Sequence, residues 1–323
     1  MNLLYIGKYP PLEGGTSVAA YWRMKEYAAR GICTKIVTAC RRDESCLPLD
    51  EDDEAIVIDS KMDWHIPYTQ LFAERLISSA LAISKIFKVD VIEGNYFFPY
   101  GYAAYIVSLL LDRPLILRHA GSDLFRLGRN EELADLLHKM LQSAKRIVTY
   151  EDCRKVWNDI GIAKDNLFFT KRYVPNPQFF YPEDKNENAV MIGKITDKWD
   201  RSQLEYYISE LKKQDFRGML DIYSSSKRSS EVKNFFCENG IKTSVHGFLP
   251  PKKVCKVLAK ASYAIVSEIP PNIIEQSNIS LEAIACKCRL IQRGKVWKEG
   301  EDLEYEYENY LLNQFEIYDV YSV

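Results

Sequence analysis

Short apolar runs alternate with helix-length amphipathic segments along this chain, and the pattern stops once and then restarts. Runs at Leu3–Gly7, Thr34–Ala39, Ala55–Ile58, Val89–Glu93, Leu115–His119, Arg146–Tyr150 and Leu167–Tyr173 read as strands, and several of the intervening segments have helical periodicity. Strands that alternate with helices cross over to form a parallel sheet covered on both faces. The rhythm resumes at Ala189–Gly193, Met219–Tyr223, Thr243–His246, Tyr263–Ser267 and Arg289–Gln292. Between the two series lies Val174-Pro175-Asn176-Pro177, then the charged stretch Tyr181-Pro182-Glu183-Asp184-Lys185-Asn186, which together read as a linker. A chain of 323 residues also exceeds the usual size of one core. The expectation is therefore two doubly wound, Rossmann-like α/β domains, 1–174 and 188–323, joined by a linker at 175–187. Arg41 to Glu54, with its acidic run, is expected to be an exposed loop.

Charge and hydropathy remove several function classes. A net charge of −2 with no basic tail argues against a nucleic-acid partner. The longest apolar stretch, Ala103 to Leu111, is far shorter than the roughly 20 residues needed to span a bilayer. The first residues read as a strand rather than a leader, so a cytoplasmic protein is expected, with peripheral attachment to a membrane or a protein partner left open. Eight cysteines include no CxxC pair, and the four histidines do not complete a zinc site. Most of these cysteines are expected to be buried free thiols.

Four segments carry residues suited to chemistry. In the opening unit, Gly14 and Gly15 sit between the first strand and a helix with Thr16 as its N-cap. A loop bare of side chains there lets backbone amides approach an anion at a helix N-terminus; the alternative is a tight turn only. In the second half, Ser277-Asn278-Ile279-Ser280-Leu281-Glu282 looks like a helix start, whose free amides are suited to phosphate. Glu282 there either binds a ligand or complements the helix dipole. In the first half, Asn95, Tyr96 and Tyr100 belong to a loop after a strand that combines an amide with aromatic faces, a binding platform; Phe97 and Phe98 read equally as packing. His119 ends another strand, a position that is more often structural.

The strings KYPPLEGG, IEGNYFFPYGYAAY, LRHAGSDL, YVPNPQFFYPE, VMIGKITDK, VHGFLPPKKV and NISLEAIACK occur in an order that resembles glycosyltransferase family 4, retaining enzymes of the GT-B fold. The resemblance covers roughly residues 1 to 292. It implies two Rossmann-like domains facing each other across a cleft, with a nucleotide diphosphate sugar held mainly by the second and a carbohydrate or lipid-linked acceptor mainly by the first. Carried onto this sequence, it puts Lys194 and Lys198 against the diphosphate, Glu282 on the ribose hydroxyls and His119 near the reacting sugar. It also implies that no divalent metal is required, because fixed cations and a helix N-terminus neutralise the departing phosphate.

The chain departs from the family at four points, one being that Ala120 separates His119 from Gly121 where members more often have histidine directly before glycine. Lys198 is one residue closer to Lys194 than usual, and Ile274 stands where members commonly carry a second glutamate facing the donor sugar. Glu275, its neighbour, is the candidate replacement. After Gln292 the chain ends in a short acidic, tyrosine-rich tail, read either as one helix covering part of the first domain or as a partner-binding segment. Two alternatives to a transferase follow from these departures and the shared architecture: a non-catalytic protein that binds a nucleotide sugar or a partner, and a sugar-nucleotide epimerase.

Overall fold

The computed structural model describes residues 1–40, 55–59, 70–127, 130–160, 164–193, 195, 199–266, 277–293 and 303–318. The expected loop Arg41–Glu54 and the candidate residues Lys194, Lys198, Ile274 and Glu275 lie outside them. The chain divides into two units. The first contains Met1–Leu12, Thr16–Arg172 and the stretch from Tyr310; the second contains Glu13–Gly15 and Tyr173–Asn309.

The first unit is built on strands β1 (Asn2–Gly7), β2 (Cys33–Cys40), β3 (Ala55–Asp59), β4 (Val91–Asn95), β5 (Leu115–Arg118), β6 (Arg146–Tyr150) and β7 (Leu167–Thr170). They pair in parallel in the order β3-β2-β1-β4-β5-β6-β7. Helices α1 (Gly15–Ala29), α2 (Gln70–Ser84), α3 (Tyr102–Leu111), α4 (Ser122–Leu127), α5 (Ala134–Ser143) and α6 (Arg154–Ile160) fill the connections. Leu3, Leu4, Tyr5 and Ile6 of β1, an interior strand, are all fully buried, as a sheet covered on both faces requires. One face packs Leu4, Ile6, Val37, Ile92 and Leu117 against Leu76 and Ala80 of α2 and Ala104 and Val107 of α3. β4 starts two residues later than its apolar run, because Asp90 is engaged with Asn2: its amide donates to the Asn2 carbonyl at 3.0 Å and its carboxylate accepts the Asn2 N–H at 2.8 Å.

The second unit repeats the plan with β8 (Ala189–Ile192), β9 (Leu220–Tyr223), β10 (Thr243–His246), β11 (Tyr263–Ile265) and β12 (Arg289–Ile291), in the parallel order β10-β9-β8-β11-β12. Its helices are α7 (Arg201–Lys213), α8 (Ser229–Glu238), α9 (Pro251–Lys260) and α10 (Asn278–Ala285). Met191, Ile222, Ile265 and Ile291 of the sheet pack with Leu204, Tyr207 and Leu211 of α7 and Val232 and Phe236 of α8.

Two expectations need correction. The tail forms α11 (Leu303–Glu316), in line with the reading of one helix against the first domain, and what changes is the domain bound: from Tyr310 onward it belongs to the first unit rather than to the domain at 188–323. The reason is side-chain burial against that unit: Ile317 is fully buried, Phe315 meets the Tyr27 ring edge-on at 5.5 Å, and Gln314 Nε2 donates to Thr170 Oγ1 at 2.9 Å. Among the cysteines, Cys153, Cys255, Cys286 and Cys288 are buried free thiols, but Cys33 and Cys237 are exposed and Cys40 is disulfide-bonded. No helix among the described residues is long and apolar enough to cross a membrane.

Candidate functional site

In each sheet the winding reverses at one point, between β1 and β4 in the first and between β8 and β11 in the second. Loops leaving the carboxyl ends of such a strand pair diverge and leave a crevice for a ligand. Among the described candidate residues, Asn95 ends β4, and Gly14, Tyr96 and Ser277 lie between these strands and the helices that follow them, whereas His119 follows β5 and Glu282 lies on α10.

At the second switch point, β8 is followed by Gly193, whose φ of +121° lies in the region that favours glycine, and whose amide donates to the Tyr223 carbonyl at 3.0 Å. The segment after β11 leads to α10, which Ser277 caps: its extended backbone (φ −87°, ψ 147°) lets Oγ accept from the Ser280 amide at 3.2 Å. The amides of Asn278 and Ile279 precede the first intrahelical bonds, as at any helix N-terminus. Ser280 is fully buried beneath this end. Within the same unit Asn278 Nδ2 donates to the Gly15 carbonyl at 2.8 Å, and Ser225 Oγ donates to Glu13 Oε1 at 2.8 Å. Gly14, between those two, has φ +120°. The sequence placed the α1 N-cap at Thr16; the helix begins one residue earlier, at Gly15.

Glu282 lies on the buried face of α10, 2% exposed. Its Oε1 accepts a hydrogen bond from the Tyr173 hydroxyl at 3.1 Å. Burial pushes its carboxyl up to about 8, against which the Tyr173 hydroxyl pulls weakly. A buried carboxyl poised between protonation states is a group that a ligand can switch.

At the first switch point, β4 carries Gly94, where a Cβ would come within 2.8 Å of both Ala104 Cβ and Gly101 Cα. Glycine at 94 therefore lets the Phe97–Gly101 turn and α3 lie directly on the strand. Asn95 is 2% exposed and its Oδ1 has no partner among the described residues; the same holds for the hydroxyl of the fully buried Tyr100. Tyr96 takes φ +80°, unusual for a side chain of this size, and Lys8 Nζ sits 3.5 Å from its ring centroid. Phe97 and Phe98 are core residues, the latter stacked on Tyr102.

His119 directly follows β5 and is 1% exposed. Its Nδ1 accepts from the Gly121 amide at 3.0 Å, so Nε2 carries the proton and donates to Thr149 Oγ1 at 2.7 Å. Phe97, Tyr150 and Trp157 surround the ring. Burial, with Arg172 and Arg118 adding, pushes the imidazole down to about 3, so it is neutral and both nitrogens are occupied.

Three residues that the sequence did not single out belong to these sites. Tyr173 reaches Glu282 across 109 positions, a pairing with no local signal. Lys8 covers Tyr96. Asp123 accepts from the amides of Phe97 at 2.8 Å and Ala120 at 2.9 Å; it lies in the quoted string LRHAGSDL, but nothing there points to an amide 26 residues away.

No family model and no curated protein sequence matches the chain. Solved structures do. Anabaena HepE in complex with UDP and glucose aligns at a TM-score of 0.62 and 11% identity, over 99% of this chain and 90% of that one. A glycosyltransferase from Rickettsia africae aligns at 0.58 and 12%, over 99% and 91%. Sucrose-phosphate synthase from Thermosynechococcus elongatus aligns at 0.57 and 14%, over 90% and 80%. Likeness along nearly the whole chain, with two parallel sheets wound in the same order, shows that the chain has the GT-B fold.

Proposed function

We propose that this chain is a glycosyltransferase that moves a sugar from a nucleotide diphosphate donor to an acceptor hydroxyl with retention of configuration, as a member of glycosyltransferase family 4. The observation that carries the reading is the second switch point, where a left-handed glycine after β8, the capped N-terminus of α10 and the buried carboxyl of Glu282 belong to one Rossmann-like unit. That set suits a diphosphate and a ribose: amides and the helix dipole for the anion, a carboxylate for the diol. The structural likeness to HepE with UDP and glucose supports the same class of donor.

In this reading Gly14, Gly15, Ser277, Asn278, Ile279, Ser280, Lys194 and Lys198 serve the diphosphate, and Glu282 the ribose. Asn95, Tyr96 and Tyr100 serve a carbohydrate or lipid-linked acceptor. The bond from the anomeric carbon to the phosphate oxygen breaks as the bond to the acceptor oxygen forms on the same face. The acceptor proton passes to the departing phosphate, so no protein base and no divalent metal is required; charge growing on the phosphate meets fixed donors. His119, neutral and doubly hydrogen-bonded, acts by holding its turn and presenting backbone rather than by moving a proton. Glu275 is the proposed carboxylate facing the donor sugar.

Ile274, where the family commonly has glutamate, favours one second reading, a protein that binds a nucleotide sugar without transferring it. One experiment separates the two: incubation with a panel of UDP-, GDP-, ADP- and dTDP-sugars, with release of nucleoside diphosphate as the readout. Release that depends on Glu275 supports transfer. Binding with no release from any donor supports the second reading.

A further inference from the structure

Two loops at the carboxyl end of the first sheet are tied together by a side chain that the proposed reaction does not use. Asp123 is 1% exposed, in the first turn of α4. One carboxylate oxygen accepts the Phe97 amide and the other the Ala120 amide. Phe97 follows Tyr96, whose left-handed backbone costs energy that neighbouring contacts must supply. Three hydrogen bonds flank that residue: its own amide donates to the Arg118 carbonyl at 2.9 Å, its carbonyl accepts from Gly101 at 2.9 Å, and Asp123 holds the next amide. On the other side, Ala120 lies between His119 and Gly121, whose amide is bonded to the imidazole. Asp123 thus joins the turn bearing Asn95, Tyr96 and Tyr100 to the turn after β5, and Arg118 joins them a second time through its carbonyl.

We infer that Asp123 is a positioning residue for transfer: resting on the glycosyltransferase reading, its carboxylate holds the Tyr96 turn and the His119–Gly121 turn in the one register that the acceptor requires. It touches neither substrate. Its loss acts on the geometry of the reacting atoms and leaves the nucleotide site of the second unit alone. An offset of about 1 Å in such a turn lowers turnover by about a hundredfold without a matching change in donor binding.

Asp123→Ala removes both acceptors, and Asp123→Asn keeps one oxygen while setting an NH2 group against the other amide. Turnover is followed with the pair of nucleotide sugar and simple glycoside acceptor that releases diphosphate fastest, together with UDP affinity by titration and amide hydrogen exchange of segments 95–101 and 119–123. The expected result is a kcat lower by about a hundredfold in Asp123→Ala, an intermediate loss in Asp123→Asn, and donor KM and UDP affinity within about twofold of the unmodified chain. Exchange rises in those two segments while β1 and β2 stay protected, which separates loop release from unfolding. Equal kcat in both variants, or unchanged exchange in the two segments, overturns the inference with the glycosyltransferase reading intact. Failure of the unmodified chain to release nucleotide from any donor overturns that reading, and this one with it.

Discussion

The two protonation states of Glu282 suit different partners, and pH should reveal which one the ligand selects. Burial raises its carboxyl to about 8 from an ordinary value near 4.5, so the unliganded protein holds it mostly neutral at pH 7. A raised folded-state value favours the protein below the unfolded value, and that contribution is lost as pH rises from about 4.5 through about 8. Glu282→Gln should therefore flatten the stability profile across that window, as measured by denaturant midpoints at successive pH values. A ribose diol donates two hydrogen bonds and is best met by the ionised form. UDP binding at pH 7 should then release protons, seen in titration calorimetry as a heat that varies with the buffer, and affinity should rise up to about tenfold per pH unit below 8. Affinity independent of pH, in any buffer, contradicts the ribose role. Glu282 was legible because Ser277 and Asn278 announce a helix start just before it; its partner Tyr173 was not, because a hydrogen bond between residues 109 apart leaves no mark on local pattern. At Gly94 the close approach of Gly101 and Ala104 sets a further expectation: Gly94→Ala should cost about 1–3 kcal/mol by overpacking, measured by chemical denaturation, and a neutral substitution would contradict this packing.

Among the elements, the end of α11 and the residues just after it are held by specific contacts. The Tyr318 hydroxyl donates to Glu93 on β4, a fully buried carboxylate that also accepts from Arg23 Nη2 at 2.8 Å and Arg118 Nε at 3.2 Å. Burial alone would raise the Glu93 carboxyl, but the two guanidinium groups and the phenol hold it below its ordinary value. Tyr318 also packs edge-on against Tyr27 at 5.3 Å, and Arg30 lies over Phe315 at 4.3 Å. Tyr318→Phe leaves the buried carboxylate one donor short and should cost about 1–3 kcal/mol. Tyr318→Ala adds a cavity and should cost about 3–5 kcal/mol. Denaturant melts that place both variants within about 0.5 kcal/mol of the unmodified chain would show that the segment is only loosely attached. A tail helix against the first domain was one of two readings of the sequence, but the residues that hold it there were not legible. An arginine in α1 and another in β5 carry no sequence sign that they share a carboxylate with a tyrosine near the end of the chain. Strand positions, by contrast, were legible almost throughout, because strands buried on both faces are continuous apolar runs.

For the whole molecule, alternation of strand and helix was enough to expect two doubly wound units. Strand order is a tertiary choice, and so the place where each sheet reverses, which gives Gly193 and the α10 N-terminus their meaning, came only with the structure. The central claim is that the second unit holds a nucleoside diphosphate. Titration calorimetry of UDP in the presence of a chelator, with uridine alone and with Lys194→Ala in parallel, tests it most directly. UDP should bind, should raise the melting temperature by the equivalent of about 2.7 kcal/mol at a hundredfold excess over its dissociation constant, and should lose about 2 kcal/mol in Lys194→Ala while uridine loses nothing. No binding and no thermal shift with UDP, GDP, ADP or dTDP would contradict the claim, and equal losses for UDP and uridine would remove Lys194 from the diphosphate.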